Sequence, residues 1–163
     1  MLSKIEIIEQ KIYTLNDLKR IRNQWRMLSK KVVFTNGCFD LVHRGHNTFL
    51  LQAADYGNRL IVAINSDASV RRLKGETRPI VDEQSRAFNL ASHTYIDAVI
   101  IFEEDTPENL LQELVPDVLV KGGDYTFDTV VGAPWVTSYG GSVEIIPLLE
   151  GYSTTGIVNK IGA

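Results

Sequence analysis

The 163-residue chain reads as an α/β protein, a Rossmann-like doubly wound parallel sheet of about five strands. Three observations predict this. Short apolar runs recur along the chain, stretches with helical periodicity or helix caps alternate with them, and a His-x-Gly-His tetrad stands where the first run hands over to a helix. Strands alternating with helices imply parallel pairing through right-handed crossovers. Sheets of this kind bind ligands beyond the carboxyl ends of their strands.

Taken in order, residues 1–30 form an N-terminal helical extension packed on a domain spanning 31–163. Leu15, Leu18, Ile21, Trp25 and Leu28 recur at helical spacing, Thr14 and Asp17 resemble a capping box, and Lys19, Arg20, Arg22 and Arg26 fill the remaining face. This helix is also a candidate contact for a homo-oligomer. Val32-Val33-Phe34 is the first strand, stopped by Asn36-Gly37. A helix from Asn47 to Ala54 follows and closes at Gly57. Leu60–Ile64 is the second strand, a polar loop runs from Asn65 to Val81, and a helix covers Asp82–His93. Ala98–Phe102 is the third strand, after which Thr106 caps a helix with Pro107 in its first position, ending near Leu114. Val118–Val120 and Val143–Ile146 supply two more strands around a helix near Thr129–Tyr139, and a short helix closes the chain.

Composition narrows the class of function. The 44% apolar and 23% charged shares are those of an ordinary globular protein. A net charge of -3 gives no basic footprint, so neither nucleic acid nor an anionic membrane is the expected partner. Cys38 is the lone cysteine, which excludes an internal disulfide and fits a reducing cytoplasm. Charges interrupt the first residues before a signal-peptide core can form, and no run is long enough to span a bilayer. A cytoplasmic location is expected.

His43-x-Gly45-His46 falls at a strand-to-helix junction, where free N–H groups and the helix dipole attract anions. Two histidines three apart share one helix face, and Gly45 removes a Cβ that would hold a phosphate off the backbone. A gripped polyphosphate is the expected ligand. The basic loop Arg71 to Pro79, containing Lys74 and Arg78, follows the second strand; Arg86 on the next helix is a further candidate phosphate clamp. Lys121-Gly122-Gly123-Asp124 permits close backbone approach to a base or ribose, and Ser153-Thr154-Thr155 beside Gly151 suggests a second phosphate-binding helix start. There is no Walker A sequence or dinucleotide fingerprint. Cys38, His43 and His46 lack both the number and the spacing of a structural zinc site.

Thr35-Asn36-Gly37-Cys38-Phe39-Asp40 followed by His43-x-Gly45-His46 resembles the signature of the nucleotidyltransferase superfamily that includes the cytidylyltransferases and pantetheine-phosphate adenylyltransferase. Asn65–Gly75, Arg78-Pro79-Ile80, Glu104–Pro107, Val120–Tyr125 and Gly151–Thr155 further resemble the D-glycero-β-D-manno-heptose 1-phosphate adenylyltransferases, the ADP-heptose synthase domain family, from about residue 12 onward. Many of these domains follow a ribokinase-like kinase; a chain of this length resembles the stand-alone form. The resemblance implies AMP transfer from ATP to a sugar 1-phosphate, with Mg2+ held mainly by the ATP phosphates and no dedicated protein cage. It also implies that Thr35 to Asp40 line the nucleotide site, that His43 and His46 contact its phosphates and that Lys74 acts with them in catalysis. Lys74, Arg78 and Arg86 would meet the substrate phosphate, while Lys121 to Asp124 and Glu150, Gly151, Tyr152, Ser153, Thr154 and Thr155 would enclose the nucleoside and the β,γ-phosphates. Leu148 and Thr94 stand where glycerol-3-phosphate cytidylyltransferases typically carry arginines, which counts against a cytidylyltransferase of an alditol phosphate. A nucleotide-binding regulatory module without turnover is the other alternative.

Overall fold

The computed structural model describes residues 1–123 and 125–161. Strands β1 (Val32–Gly37), β2 (Arg59–Asn65), β3 (Ala98–Phe102), β4 (Val118–Gly122) and β5 (Ser142–Ile146) form one sheet in the order β3-β2-β1-β4-β5. All four pairings are parallel. The helices are α1 (Lys4–Glu9), α2 (Leu15–Met27), α3 (Arg44–Ala54), α4 (Asp67–Lys74), α5 (Glu83–Ala91), α6 (Glu108–Leu114), α7 (Ala133–Ser138) and α8 (Thr154–Ile161), with a 3-10 turn at Phe127–Thr129.

Strand alternation sorts the apolar residues into two cores. Val32, Phe34, Ile61, Ala63 and Leu119 meet Leu18 and Trp25 of α2, Leu111 of α6 and Val136 of α7 on one face. Val33, Val62, Ile64, Val118 and Val120 meet Phe49 and Leu50 of α3 and Leu90 of α5 on the other. Each fully buried Leu, Ile or Phe contributes about 1.5–3 kcal/mol. Helices cover both faces, so the sheet is doubly wound.

The strand order reverses beside β1. Six residues of β1 are in register with β2, from Val32 opposite Arg59 to Gly37 opposite Ile64. Against β4 the register holds only at Val33 with Val118 and Phe34 with Leu119. Thr35, Asn36 and Gly37 therefore diverge from β4, and a crevice opens between the carboxyl ends of the two strands at the switch point.

Several elements depart from the sequence expectation. The stretch 65–81 is not all loop: α4 lies within it, capped by Ser66 Oγ on the Ser69 amide at 3.2 Å. Thr106 caps nothing; Pro107 takes the N-cap position without a side-chain bond. The expected helix over 129–139 divides into the 3-10 turn and α7, separated by Gly132 at φ +87. Arg22 is buried rather than solvated, and Leu28 is exposed. α1 was not anticipated; none of its residues is buried. Among the described residues, no helix is long and apolar enough to cross a membrane.

Candidate active site

The crevice is built from the β1–α3 turn. Phe39 turns the chain with a positive φ of 46°, which costs a non-glycine residue steric energy. Its ring packs edge-on to His46, with centroids 5.4 Å apart. A Cβ at Gly37 would stand 3.0 Å from that ring, so glycine is what admits the turn.

His43 is the N-cap of α3, and His46 is its third helical residue. His43 Nδ1 accepts from the His46 amide, and His46 Nδ1 accepts from the His43 amide, each at 3.4 Å. The two rings stack with centroids 3.9 Å apart. This is a capping box in which histidines replace the usual hydroxyl and carboxyl partners. With both Nδ1 atoms accepting, each neutral ring carries its proton on Nε2. Burial lowers the His46 pKa to about 4, the neighbouring His43 adds to this, and the Leu41 carbonyl opposes it. Burial lowers His43 as well. Near neutral pH the pair offers N–H donors rather than two cations.

Lys121, at the end of β4, crosses the crevice. Its Nζ donates to Asn36 Oδ1 at 2.6 Å and sits 5.6 Å from the centroid of the Tyr125 ring. It is 9% exposed and has no carboxylate partner among the described residues. Burial lowers its pKa to about 8, and Cys38 opposes the fall. A buried ammonium that meets only an amide oxygen and a ring face is poorly compensated. An incoming anion would supply what is missing. Cys38 beside it is held as a neutral thiol: burial raises its pKa, outweighing Lys74, Arg86 and Arg78.

Other residues expected in the site are engaged within the protein. Asp40 was expected against the nucleotide, yet its carboxylate accepts from the Ile80 and Val81 amides at 2.8 and 2.9 Å and from Arg78 Nε at 2.6 Å. Burial raises its pKa, but those bonds outweigh burial and hold it below the usual range. Arg78 thereby spends one nitrogen on Asp40. Arg86, expected as an open phosphate clamp, is fully buried. It donates to Val81 O at 3.0 Å, Cys38 O at 2.6 Å and Asp67 Oδ1 at 2.7 Å. It ties α5 to the crevice turn and to α4. Thr35 is also fully buried, and its Oγ1 has no partner. Lys74 remains exposed at the last turn of α4.

Gly45 has a packing role within the protein. A Cβ there would stand 3.0 Å from His43 Cε1 and from Tyr152 Cβ, so the glycine admits the close approach of the protein's own Tyr152. Tyr152 stacks toward His43 at 6.3 Å, and the Arg44 guanidinium lies 5.8 Å from the Tyr152 ring centroid. Nothing in the sequence pattern marked the Arg44–Tyr152 or Asn36–Lys121 pairs. Gly122 backs onto Phe49 and Leu148, and Gly123, at φ +111, donates to Ile146 O at 3.0 Å. Asp124 lies outside the described residues. Ser153 Oγ caps the Gly156 amide of α8 at 3.0 Å; Glu150, Gly151 and Thr155 are exposed, and Thr154 is half-buried.

The donor set also bears on a divalent cation. Among the described residues no three His, Cys, Asp or Glu side chains are grouped to hold one, and the Asp40 carboxylate is spent on the loop.

Comparison with known proteins places these features. A family model described as cytidylyltransferase-like matches residues 34–159. The bifunctional protein HldE of Koribacter versatilis (strain Ellin345) is 51% identical over 156 residues, which is 96% of this chain and 32% of the relative. HldE of Geobacter metallireducens is 54% identical over 153 residues, 94% of this chain and 31% of the relative. The chain thus spans about a third of the length of these relatives. Among solved structures, the lipopolysaccharide core biosynthesis protein from Thermoplasma volcanium GSS1 superposes with a TM-score of 0.61 at 28% identity, over 76% of this chain and 99% of that one. Pantoate-beta-alanine ligase from Francisella tularensis shares the fold, with a TM-score of 0.60 at 18% identity over 92% and 77% of the two chains. The histidine-capped turn lies within the matched family model, which covers most of the chain, and this chain belongs to the cytidylyltransferase-like family of nucleotidyltransferases.

Proposed function

We propose that this chain transfers AMP from Mg·ATP to D-glycero-β-D-manno-heptose 1-phosphate, giving ADP-heptose and pyrophosphate. Residues 31–163 would carry the reaction and residues 1–30 extend them, in the cytoplasm where ATP is supplied. The observation that carries the reaction class is the pair of Nε2–H donors at the start of α3, sharing the carboxyl end of β1 with the uncompensated Lys121. The acceptor rests on the motif resemblance, supported by about 50% identity to bifunctional HldE proteins over nearly the whole chain. The Thermoplasma neighbour, a lipopolysaccharide core biosynthesis protein, is in keeping with it.

The chemistry follows from charge. A sugar phosphate is already anionic, so its oxygen needs no strong base to attack the α-phosphorus. The bond from that phosphorus to the bridging oxygen of the β-phosphate breaks, and its electron pair leaves with pyrophosphate. The barrier lies in bringing anions together and in the charge that develops on the phosphoryl oxygens. His43 and His46 donate from Nε2 to those oxygens. Lys121 neutralises nucleotide phosphate, and Lys74 approaches the acceptor phosphate from α4. Magnesium enters as the counter-ion of ATP, so Mg·ATP is the substrate.

Pyrophosphate release with magnesium tests this, with ATP or CTP offered against the β-heptose 1-phosphate, its α-anomer and glycerol 3-phosphate. Turnover confined to ATP with the β-anomer is expected. Turnover only with CTP, or only with glycerol 3-phosphate, would overturn the substrate assignment. ATP binding without turnover on any acceptor would indicate a regulatory module.

A further inference from the structure

At the opposite, amino-terminal edge of the sheet, a cleft of about 580 Å³ opens between the end of α2, the start of β4 and the turn after α7. Arg22, Arg26, Lys30 and Lys31 line it, with Asp117 as its one carboxylate. Among the described residues none of the four cations forms an ion pair. The Asp117 Oδ2 is occupied by the Val32 amide at 2.7 Å, and the Tyr139 hydroxyl donates to Pro116 O at 2.8 Å. The Asp117 carboxylate and the Tyr139 hydroxyl are thus each already engaged.

Arg22 is the unusual member. It is 4% exposed. Its Nη2 donates to the Val115 carbonyl, while the buried Nε and Nη1 have no partner. Folded proteins rarely leave buried donors unmet. Burial pulls its pKa below the usual range, Asp117 opposes that, and Arg26 adds to it. The carboxyl-terminal ends of α2 and α7 bring partial negative charge, and Arg26, in the last turn of α2, partly answers it. Arg22, Lys30 and Lys31 still outnumber Asp117.

We propose that this cleft is a second ligand site that binds a small phosphorylated anion, at the edge of the sheet opposite the nucleotide crevice. The volume is in the range of small-molecule sites. Guanidinium and ammonium groups together suit a tetrahedral oxyanion bearing more than one charge.

Titration of the full chain with inorganic phosphate and with pyrophosphate, followed by proton–nitrogen NMR, separates the two edges. The Arg22 Nε–H and the amides of Gly140 and Gly141 report the cleft; those of Gly37 and Gly45 report the crevice. A saturable shift in the cleft signals is expected. In an Arg26→Gln, Lys30→Gln variant, whose changes leave the two cores untouched, the cleft midpoint should rise at least about tenfold, as for loss of a charge-assisted bond, with the crevice response retained. Cleft signals that stay still, shift without saturating, or saturate at the same midpoint in the variant would overturn the site. None of these outcomes bears on turnover at the crevice.

Discussion

Replacing Lys121 by methionine should make the free protein more stable and its nucleotide binding weaker. The lysine pKa falls from 10.5 to about 8 on burial. At about 1.4 kcal/mol per tenfold change in proton affinity, keeping the ammonium charged costs the folded state about 3 kcal/mol. Methionine removes that cost at similar length but leaves Asn36 Oδ1 without its donor, a loss of about 1 kcal/mol. A net gain of about 2 kcal/mol raises Tm by roughly 4–8 °C in a chain of this size. Affinity for Mg·ATP should fall roughly 10- to 150-fold, the worth of a hydrogen bond to a charged group. The pH dependence supplies an independent sign. The folded pKa lies below the unfolded one, so the unfolded chain binds the extra proton between about 8 and 10.5. The cost is fully present below pH 8 and is relieved as pH rises through that window. The stability gap between variant and wild type should therefore close toward pH 10.5. Tyrosines with raised pKa titrate in both proteins and cancel. Denaturant melts with and without Mg·ATP measure all of this. A less stable Lys121→Met protein, or equal ATP affinity, would refute the view of Lys121 as a charge held ready for an anion.

Two further substitutions probe the turn. His46→Ala should lower kcat by about a hundredfold or more, the cost of losing one transition-state donor, and turnover at the wild-type rate would remove His46 from the chemistry. Because its pKa is about 4, the His46 ring signal in NMR should not titrate near 6.5, and the stability it influences should fall as pH drops from 6.5 toward 4, where the unfolded chain takes up the proton first. Asp40→Asn should cost about 3 kcal/mol by leaving a partly buried arginine without its carboxylate, and hydrogen exchange at Ile80 and Val81 should accelerate. Unchanged stability with lost ATP affinity would instead make Asp40 a nucleotide contact. Since the folded Asp40 pKa is lowered, its contribution is present above about pH 4 and is lost as pH falls through the lower, folded value.

The sheet was legible because β1 to β4 each carry an uninterrupted apolar run, and a strand covered on both faces leaves that mark whatever its neighbours are; β5, at the edge, is broken by Glu144. α4 escaped notice because Ala68, Val70 and Leu73 are its apolar residues, too few over eight positions to set a period, although Ser66 and Gly75 bracket it as cap and stop. α1 left no mark because it is short and none of its residues is fully buried, Ile8 alone packing against the core. In the crevice, spacing alone put His43 and His46 on one turn. What the arginines do was not legible: Arg78 meets Asp40, 38 residues away, and Arg86 meets Asp67, 19 residues away. Loop closure at such separations is decided by the assembled fold. The same holds for Lys121 and Asn36, 85 residues apart.

The reciprocal cap between His43 and His46 has a consequence for the catalytic cycle. Each ring is hooked through Nδ1 to a backbone amide of the same turn, so departure of a product leaves both hooks in place. Neither imidazole must search for its rotamer again before the next substrate arrives. The interval between turnovers then contains no repair of this pair, and loss of either imidazole removes the stack between them while the other ring keeps its bond to the backbone amide.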